Sequence, residues 1–358
     1  MKNLNLKFVD PKATLFQKEL RKRVNTYFKE NGISKQANFQ MILKSIILLA
    51  AYFVPFGFIL AQTFNFPVNL LLWLLMGFAL AGIGMSIMHD GNHGSYSKNK
   101  RVNDLMGATL NLLGGSILNW KYQHNVLHHT YTNITGMDDD IEDKLMLRFS
   151  PHTEKKWFHK LQPVYAFFFY GITTLYWITA KDFVQFVKYK ANKVNRQTDK
   201  ENAISLFKMI LVKVGYFSVF FGFPLLFSVP IKDVALGFLL MHFVAGVTLT
   251  TIFQLAHSVK ETEHPLPNDE GVIEDNWAAH QLKTTANFSK NNWFLTWYLG
   301  GLNYQIEHHL FPNICHVHYP NIAPIVKKTA KEFNLPYHDH GSFAKAVASH
   351  IGLMTKIA

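Results

Sequence analysis

The sequence predicts an all-α integral membrane protein: four transmembrane helices in two hairpins, with a helical cap holding a histidine-rich two-metal site. Three observations predict it. No charged residue occurs from Ser45 to Met88, room for two spans of about 20 apolar residues each. Two further apolar stretches, 207–229 and 234–256, are joined by Pro230-Ile-Lys-Asp233. Three histidine clusters lie just outside apolar stretches: His89-Asp-Gly-Asn-His93, His124-Asn-Val-Leu-His128-His129 and Gln305-Ile-Glu-His308-His309.

Composition agrees. Of 358 residues, 49% are hydrophobic and only 17% charged, where a soluble domain carries about 25% charged. The single cysteine, Cys315, excludes an intramolecular disulfide framework and a multi-cysteine metal site. The first 40 residues are polar and basic, so no cleavable leader is expected, and the working parts are expected on the cytoplasmic side. The net charge is +12. Its Lys and Arg flank apolar segments, as in Lys18 to Arg23 and Lys188 to Arg196, the pattern of cytoplasmic span ends and anionic lipid headgroups. Nucleic acid is therefore not an expected partner.

Taken in order, residues 12–30 place Phe16, Leu20, Val24 and Phe28 at four-residue spacing. That predicts an amphipathic helix lying on the cap or the headgroups, or packed simply on its own protein. Spans follow near 41–63 and 67–88, separated by the turn Asn65-Phe66-Pro67. Residues 105–119 are Gly-rich and short for a span. Residues 161–180 are long enough, but one crossing there would put the third histidine cluster on the opposite face from the first two. A single metal centre needs all three together, so 161–180 is placed flat at the interface, where aromatic residues are favoured. The second hairpin occupies 207–229 and 234–256, with Lys208 and Lys213 able to snorkel to the interface. Both termini then lie in the cytoplasm, and 89–206 with 257–358 form the cap.

The clusters carry the chemistry. Histidines four apart share one helix face and can grip one ion. Adjacent helical positions point about 100° apart, so His128 with His129, and His308 with His309, can address two different metals. His257, ending the last span, is expected as an eighth ligand beside His89, His93, His124, His128, His129, His308 and His309. Imidazoles without thiolates suit iron or another borderline transition metal. Asp90, Glu307 and Asp138-Asp139-Asp140 are candidate outer partners for the metal-bound rings. Asn303 and Gln305 are candidates to hold a metal-bound water or to orient a ligand. His242 lies within a span and His316 and His318 follow Pro312, so none of the three is expected as a ligand. His152, His159, His264, His280, His338, His340 and His350 are expected at the surface.

These clusters resemble the three histidine boxes of the membrane fatty acid desaturase family. The second resembles it through His128-His-Thr-Tyr-Thr-Asn133 and Gly136. The third does so through Gly300-Gly-Leu-Asn-Tyr-Gln-Ile-Glu-His-His-Leu-Phe-Pro312. The likeness runs from about Phe39 to Tyr337. Glutamine at 305, where many members carry histidine, resembles the front-end subgroup acting on the carboxyl side of existing double bonds. The resemblance implies a di-iron centre held by the eight histidines, with Gln305 as a weak ligand or an outer partner. It implies O2 as co-substrate and a fatty acyl-CoA or acyl-lipid substrate. Many eukaryotic front-end members carry a fused haem domain with a His-Pro-Gly-Gly motif that does not occur here. Electrons are then expected from a separate donor, either ferredoxin-type or a cytochrome with its reductase, and the absence resembles inner-membrane bacterial members. The rival readings are a di-iron hydroxylase or ketolase and a membrane metal transporter or receptor. A transporter would line its path through the bilayer with such groups, whereas here nearly all lie beyond the span ends.

Overall fold

A computed structural model describes residues 6–8, 11–142 and 146–358. The first helix, α1 (Pro11–Glu30), buries Phe16, Leu20, Val24 and Phe28. They pack against the C-terminal helices, beside Ile322, Ala323 and Val326. Of the two readings of this stripe, it is therefore the protein's own surface that α1 covers.

Four helices are long and apolar enough to cross a membrane: Phe39–Leu60, Phe66–His93, Asp199–Leu226 and Ile231–His257. We call them α2, α3, α4 and α5. Their ends follow from local chemistry. Asn38 and Asn65 cap the first two, each side-chain oxygen accepting an N–H three residues on, and Pro67 occupies the first turn of α3, where its missing N–H costs nothing. Thr198 and Glu201 form a capping box at the start of α4. α4 begins before residue 207 because its first two turns are polar and outside the apolar window, and α3 runs past 88 to His93.

Residues 105–119 form no single helix. They run through a helical end, a 3-10 segment (Ala108–Leu113) and a left-handed turn at Gly114. Gln162–Tyr176, α6, continues through a π-helical turn into Asp182–Ala191. It lies close along α5 because small residues face each other: a Cβ at Gly246 would meet the Tyr170 carbonyl oxygen at 2.6 Å. Thr174 Oγ1 donates to the His242 carbonyl at 2.7 Å. Two short parallel strand pairs clip together segments outside the four long apolar helices: Lys7–Phe8 with Val272–Ile273, and Ala286–Asn287 with His338–Asp339.

Lys213 does not snorkel. It is buried in α4, 2.9 Å from Asp182, and donates to the carbonyls of Gly114 and Trp177 at 3.1 Å each. Asp182 in turn accepts the Ser116 N–H and the Trp177 indole N–H. The pair thus pins the 114–116 turn and the π turn to α4. A buried cation with a carboxylate and two carbonyls within reach has no reason to extend toward water. Three histidines expected at the surface are also buried: His159, His280 and His350. His350 sits in the last helix, Phe343–Ile357, between the Tyr170 hydroxyl at 2.7 Å and the Ser258 carbonyl at 2.6 Å.

Removing one member of a buried pair strands the other charge. Lys213→Met is expected to cost about 3–5 kcal/mol, read by thermal or denaturant unfolding in detergent, with partial recovery in Lys213→Met/Asp182→Asn. Burial also pulls His350 down to about 4. The folded state then refuses a proton that the unfolded chain accepts below about 6.5. Stability is full above that pH and falls as pH drops toward 4. His350→Gln should flatten this slope in unfolding measured between pH 7 and 5.

Candidate metal centre

Three chain segments bring the histidines together. His89 and His93 lie on Ile87–His93, the last turns of α3 beyond a break at Ser86. His124, His128 and His129 lie on and just after a π-helical segment, Lys121–His128. His308 and His309 lie on the short helix Gln305–Leu310. That helix reaches the first cluster because its approach, Gly300-Gly301, has positive φ at both residues, and a Cβ on Gly300 would overlap the Met85 carbonyl. His257 ends α5 and joins from a fourth direction.

The π turn changes the expected spacing. Five residues rather than four bring side chains into register there. His124 and His129 therefore meet, with Nε2 atoms 3.3 Å apart, while the His128 ring turns toward His257, centroids 4.6 Å apart. Two groups result. Ligand atoms of His89, His93, His124 and His308 all lie within 4.8 Å of one another, and so do those of His128, His257 and His309. His129 sits between them, its ring 4.6 Å from His308 and 4.4 Å from His309. His308 falls in the first group and His309 in the second, and both also lie within 4.8 Å of His129 in a further group.

The inward nitrogens are poorly satisfied by protein. His89 Nε2 and His129 Nε2 both approach His124 Nε2, at 3.2 and 3.3 Å. A neutral imidazole has one donor and one acceptor, so one contact at most can be a proper hydrogen bond. His93 Nε2 and His308 Nε2 are buried with no hydrogen-bond partner. Burial holds His124, His129, His308 and His309 well below the usual imidazole range, hence neutral and with lone pairs available. Converging neutral nitrogens with no protein partner fit a pair of transition-metal ions.

The outward nitrogens of four rings have partners, as rings oriented for metals require. His128 Nδ1 lies 3.0 Å from Asp138, and Asp138 also accepts the Asn133 N–H. His257 Nδ1 faces the Thr284 carbonyl at 3.2 Å, His309 Nδ1 the Gln281 amide oxygen at 2.7 Å and His308 Nδ1 the Tyr319 hydroxyl at 3.3 Å. Gln281, Thr284 and Tyr319 are invisible to sequence reading, because no spacing links them to a histidine box. Asp139 and Asp140 extend the network through Gln185, Tyr189 and Gln123. The aspartate run is thus a buried polar web, not a solvated loop.

Two expected partners point elsewhere. Asn303 donates to Thr296 Oγ1 at 2.9 Å and to the Ser289 carbonyl, bracing its own loop. Glu307 binds Asn287 and Tyr337, tying the helix to the strand pair, and burial pushes its carboxyl up to about 7. Gln305, in contrast, faces the cluster: its amide nitrogen is 2.9 Å from His257 Nε2 and 3.5 Å from His309 Nε2. Its buried oxygen has no partner, and half a turn of the amide exchanges the two atoms.

A cavity of about 200 Å³ opens on this centre. His89, His124 and Gln305 line one part, and Met85, Met88, Leu113, Leu249 and Phe253 line much of the rest.

Four spanning-length helices, a two-group imidazole centre and an apolar cavity beside it define a membrane protein equipped for metal-dependent chemistry on an apolar substrate. The chain belongs to the fatty acid desaturase family, whose family model matches residues 64–341. It is 37% identical over 336 residues to a protein of Synechocystis sp. named sn-1 linoleoyl-lipid 6-desaturase, covering 94% of this chain and 93% of the relative. A protein of the same name from Arthrospira platensis is also 37% identical, covering 97% and 94%. An acyl-lipid (8-3)-desaturase of Physcomitrium patens is 37% identical over 99% of this chain and 74% of the relative.

Outer partners of metal-bound histidines typically contribute 10–100-fold in affinity. Asp138→Asn is expected to weaken metal binding by roughly that factor, measured by competition with a chromophoric chelator. An unchanged affinity would count against His128 as a ligand.

Proposed function

We propose that this protein is an O2-dependent front-end desaturase of membrane-lipid acyl chains, with its active site and both termini on the cytoplasmic side. The observation that carries the reading is the convergence of three histidine boxes into two groups at the wall of an apolar cavity. Relatives named for lipid-linked acyl substrates favour an acyl-lipid over an acyl-CoA.

His89, His93, His124 and His308 would hold one iron. His128, His257 and His309 would hold the other, with Gln305 completing it through its amide oxygen and His129 contributing between the two. When bound, the iron pair supplies the O2 chemistry that removes two hydrogens from adjacent methylenes, using two electrons from a separate donor, ferredoxin-type or a cytochrome with its reductase. The protein's part is placement. Met85, Met88, Leu113, Leu249 and Phe253 give the cavity apolar walls that accept an alkyl chain and exclude water from the reacting carbons. Asp138, Gln281 and the Thr284 carbonyl fix the rings, so that lone pairs face inward before metal arrives.

His89 and His257 end different spans yet meet at one centre, which fits boxes gathered on a single face. α6 packs against the middle of α5, at His242, Gly246 and Thr250, so its depth follows that span and not the headgroup level.

Expression in a host of defined fatty acid composition, followed by mass-spectrometric mapping of double bonds, tests the reading. A new double bond on the carboxyl side of an existing one is expected from wild type, and background levels from His128→Ala that still inserts in the membrane. An oxygenated product without new unsaturation would replace the desaturase reading with a hydroxylase. About one zinc per chain, with no iron and no reductant-dependent O2 uptake, would favour a metal-binding receptor or transporter.

A further inference from the structure

A second buried polar cluster, built on Asp90, lies beside the imidazole centre. Lys44, Asp90 and His316 are 2%, 1% and 3% exposed. Lys44 Nζ is 2.7 Å from His316 Nε2, and His316 Nδ1 is 2.8 Å from Asp90 Oδ2. An ammonium can only donate, so His316 Nε2 accepts and Nδ1 carries the ring proton toward Asp90. The chain of donors is directional from Lys44 to Asp90. The His316 backbone N–H and the Cys315 thiol donate to the same carboxylate oxygen, at 3.4 and 3.0 Å.

Three donors on Oδ2 leave Oδ1 turned toward His89, 3.9 Å from its Nδ1. That nitrogen has no hydrogen-bond partner of its own. His128, His257, His308 and His309 each have a close polar partner on Nδ1. For His89 the corresponding group is a carboxylate acting across 3.9 Å, and its direction is set by Lys44 and His316.

Asp90, Cys315 and His316 also lie close enough to surround an ion. The ammonium of Lys44 already supplies a cation there and occupies the lone pair of His316 Nε2. Lys44 is further held over the Trp297 ring, 5.5 Å from its centroid. A buried lysine is costly without compensation, and here it compensates Asp90 through the neutral imidazole.

We propose that Lys44 and His316 are positioning residues for the metal centre: through Asp90 they hold His89 with its outer nitrogen toward the carboxylate and Nε2 toward the metal. This rests on His89 being an iron ligand. The arrangement ties α2, the first histidine box and the segment after the third box into one electrostatic unit, so that assembly of the three segments and orientation of one ligand are the same event.

The test compares purified full-length wild type, Lys44→Met, His316→Gln and Lys213→Met for iron per folded chain, for iron affinity against a chelator and for the Mössbauer spectrum. Lys213→Met breaks the buried Lys213–Asp182 pair, whose hydrogen bonds run to Gly114, Trp177 and Ser116 and to none of the eight histidines. Expected is wild-type iron near two per chain. Lys44→Met and His316→Gln should each bind the more weakly held iron roughly 10–100-fold less tightly, with one of the two iron signals altered. Asp90→Asn should share this defect, and adding Lys44→Met to it should change little further. Lys213→Met should lose stability while keeping its iron. The proposal is overturned if folded Lys44→Met and His316→Gln keep wild-type affinity and spectrum, or if Lys213→Met loses iron to the same extent. Wild type that binds no iron would overturn the di-iron reading itself.

Discussion

Neutral imidazoles offer one donor and one acceptor each, so a group of them packed ring against ring in a buried space cannot satisfy one another. That is the constraint on which the rest of this structure depends. Inward nitrogens of His89, His93, His124, His129 and His308 converge with too few protons to share. A metal ion held among them would remove the frustration. Until then, the cost of holding the rings in place falls on the surrounding protein, whose outer hydrogen bonds and packed helices therefore carry the ligand geometry.

The membrane helices act as the frame for that work. α3 and α5 each end on a histidine, and α5 is packed against α6 through glycines that allow backbone contact. The Lys213–Asp182 pair pins the turn at Gly114, and Leu113 beside it lines the cavity. Lys44 similarly puts a charge from α2 beside the first histidine box. In both cases a lysine within an apolar helix turns inward, Lys213 to the Asp182 carboxylate and Lys44 to the His316 ring, instead of outward to the headgroups. Lys213 connects its span to the turn at Gly114, and Lys44 connects its span to the first histidine box through His316 and Asp90.

Much of this was legible from the chain alone. Long apolar runs located the spans, because hydrocarbon accepts little else. The histidine spacing identified the centre, and the two adjacent pairs pointed to two metals. Gln305 stood out in the sequence because it replaces an expected histidine, and in the fold it faces His257 and His309. The four-residue stripe of α1 was readable as well, but not its partner, since an apolar face does not say whether lipid or protein covers it.

What the sequence by itself determined were properties local in the chain: span length, cap residues, and which residue types could ligate. What only the tertiary structure decided were pairings between residues far apart. The π turn that joins His124 to His129, the Gln281 and Tyr319 contacts behind His309 and His308, and the turning of Asn303 and Glu307 away from the centre all belong to this second kind. The physical reason is that a donor's partner is set by where other segments pack. One inserted residue per helical turn, or one lysine drawn inward, redirects a side chain without leaving a periodic trace in the sequence.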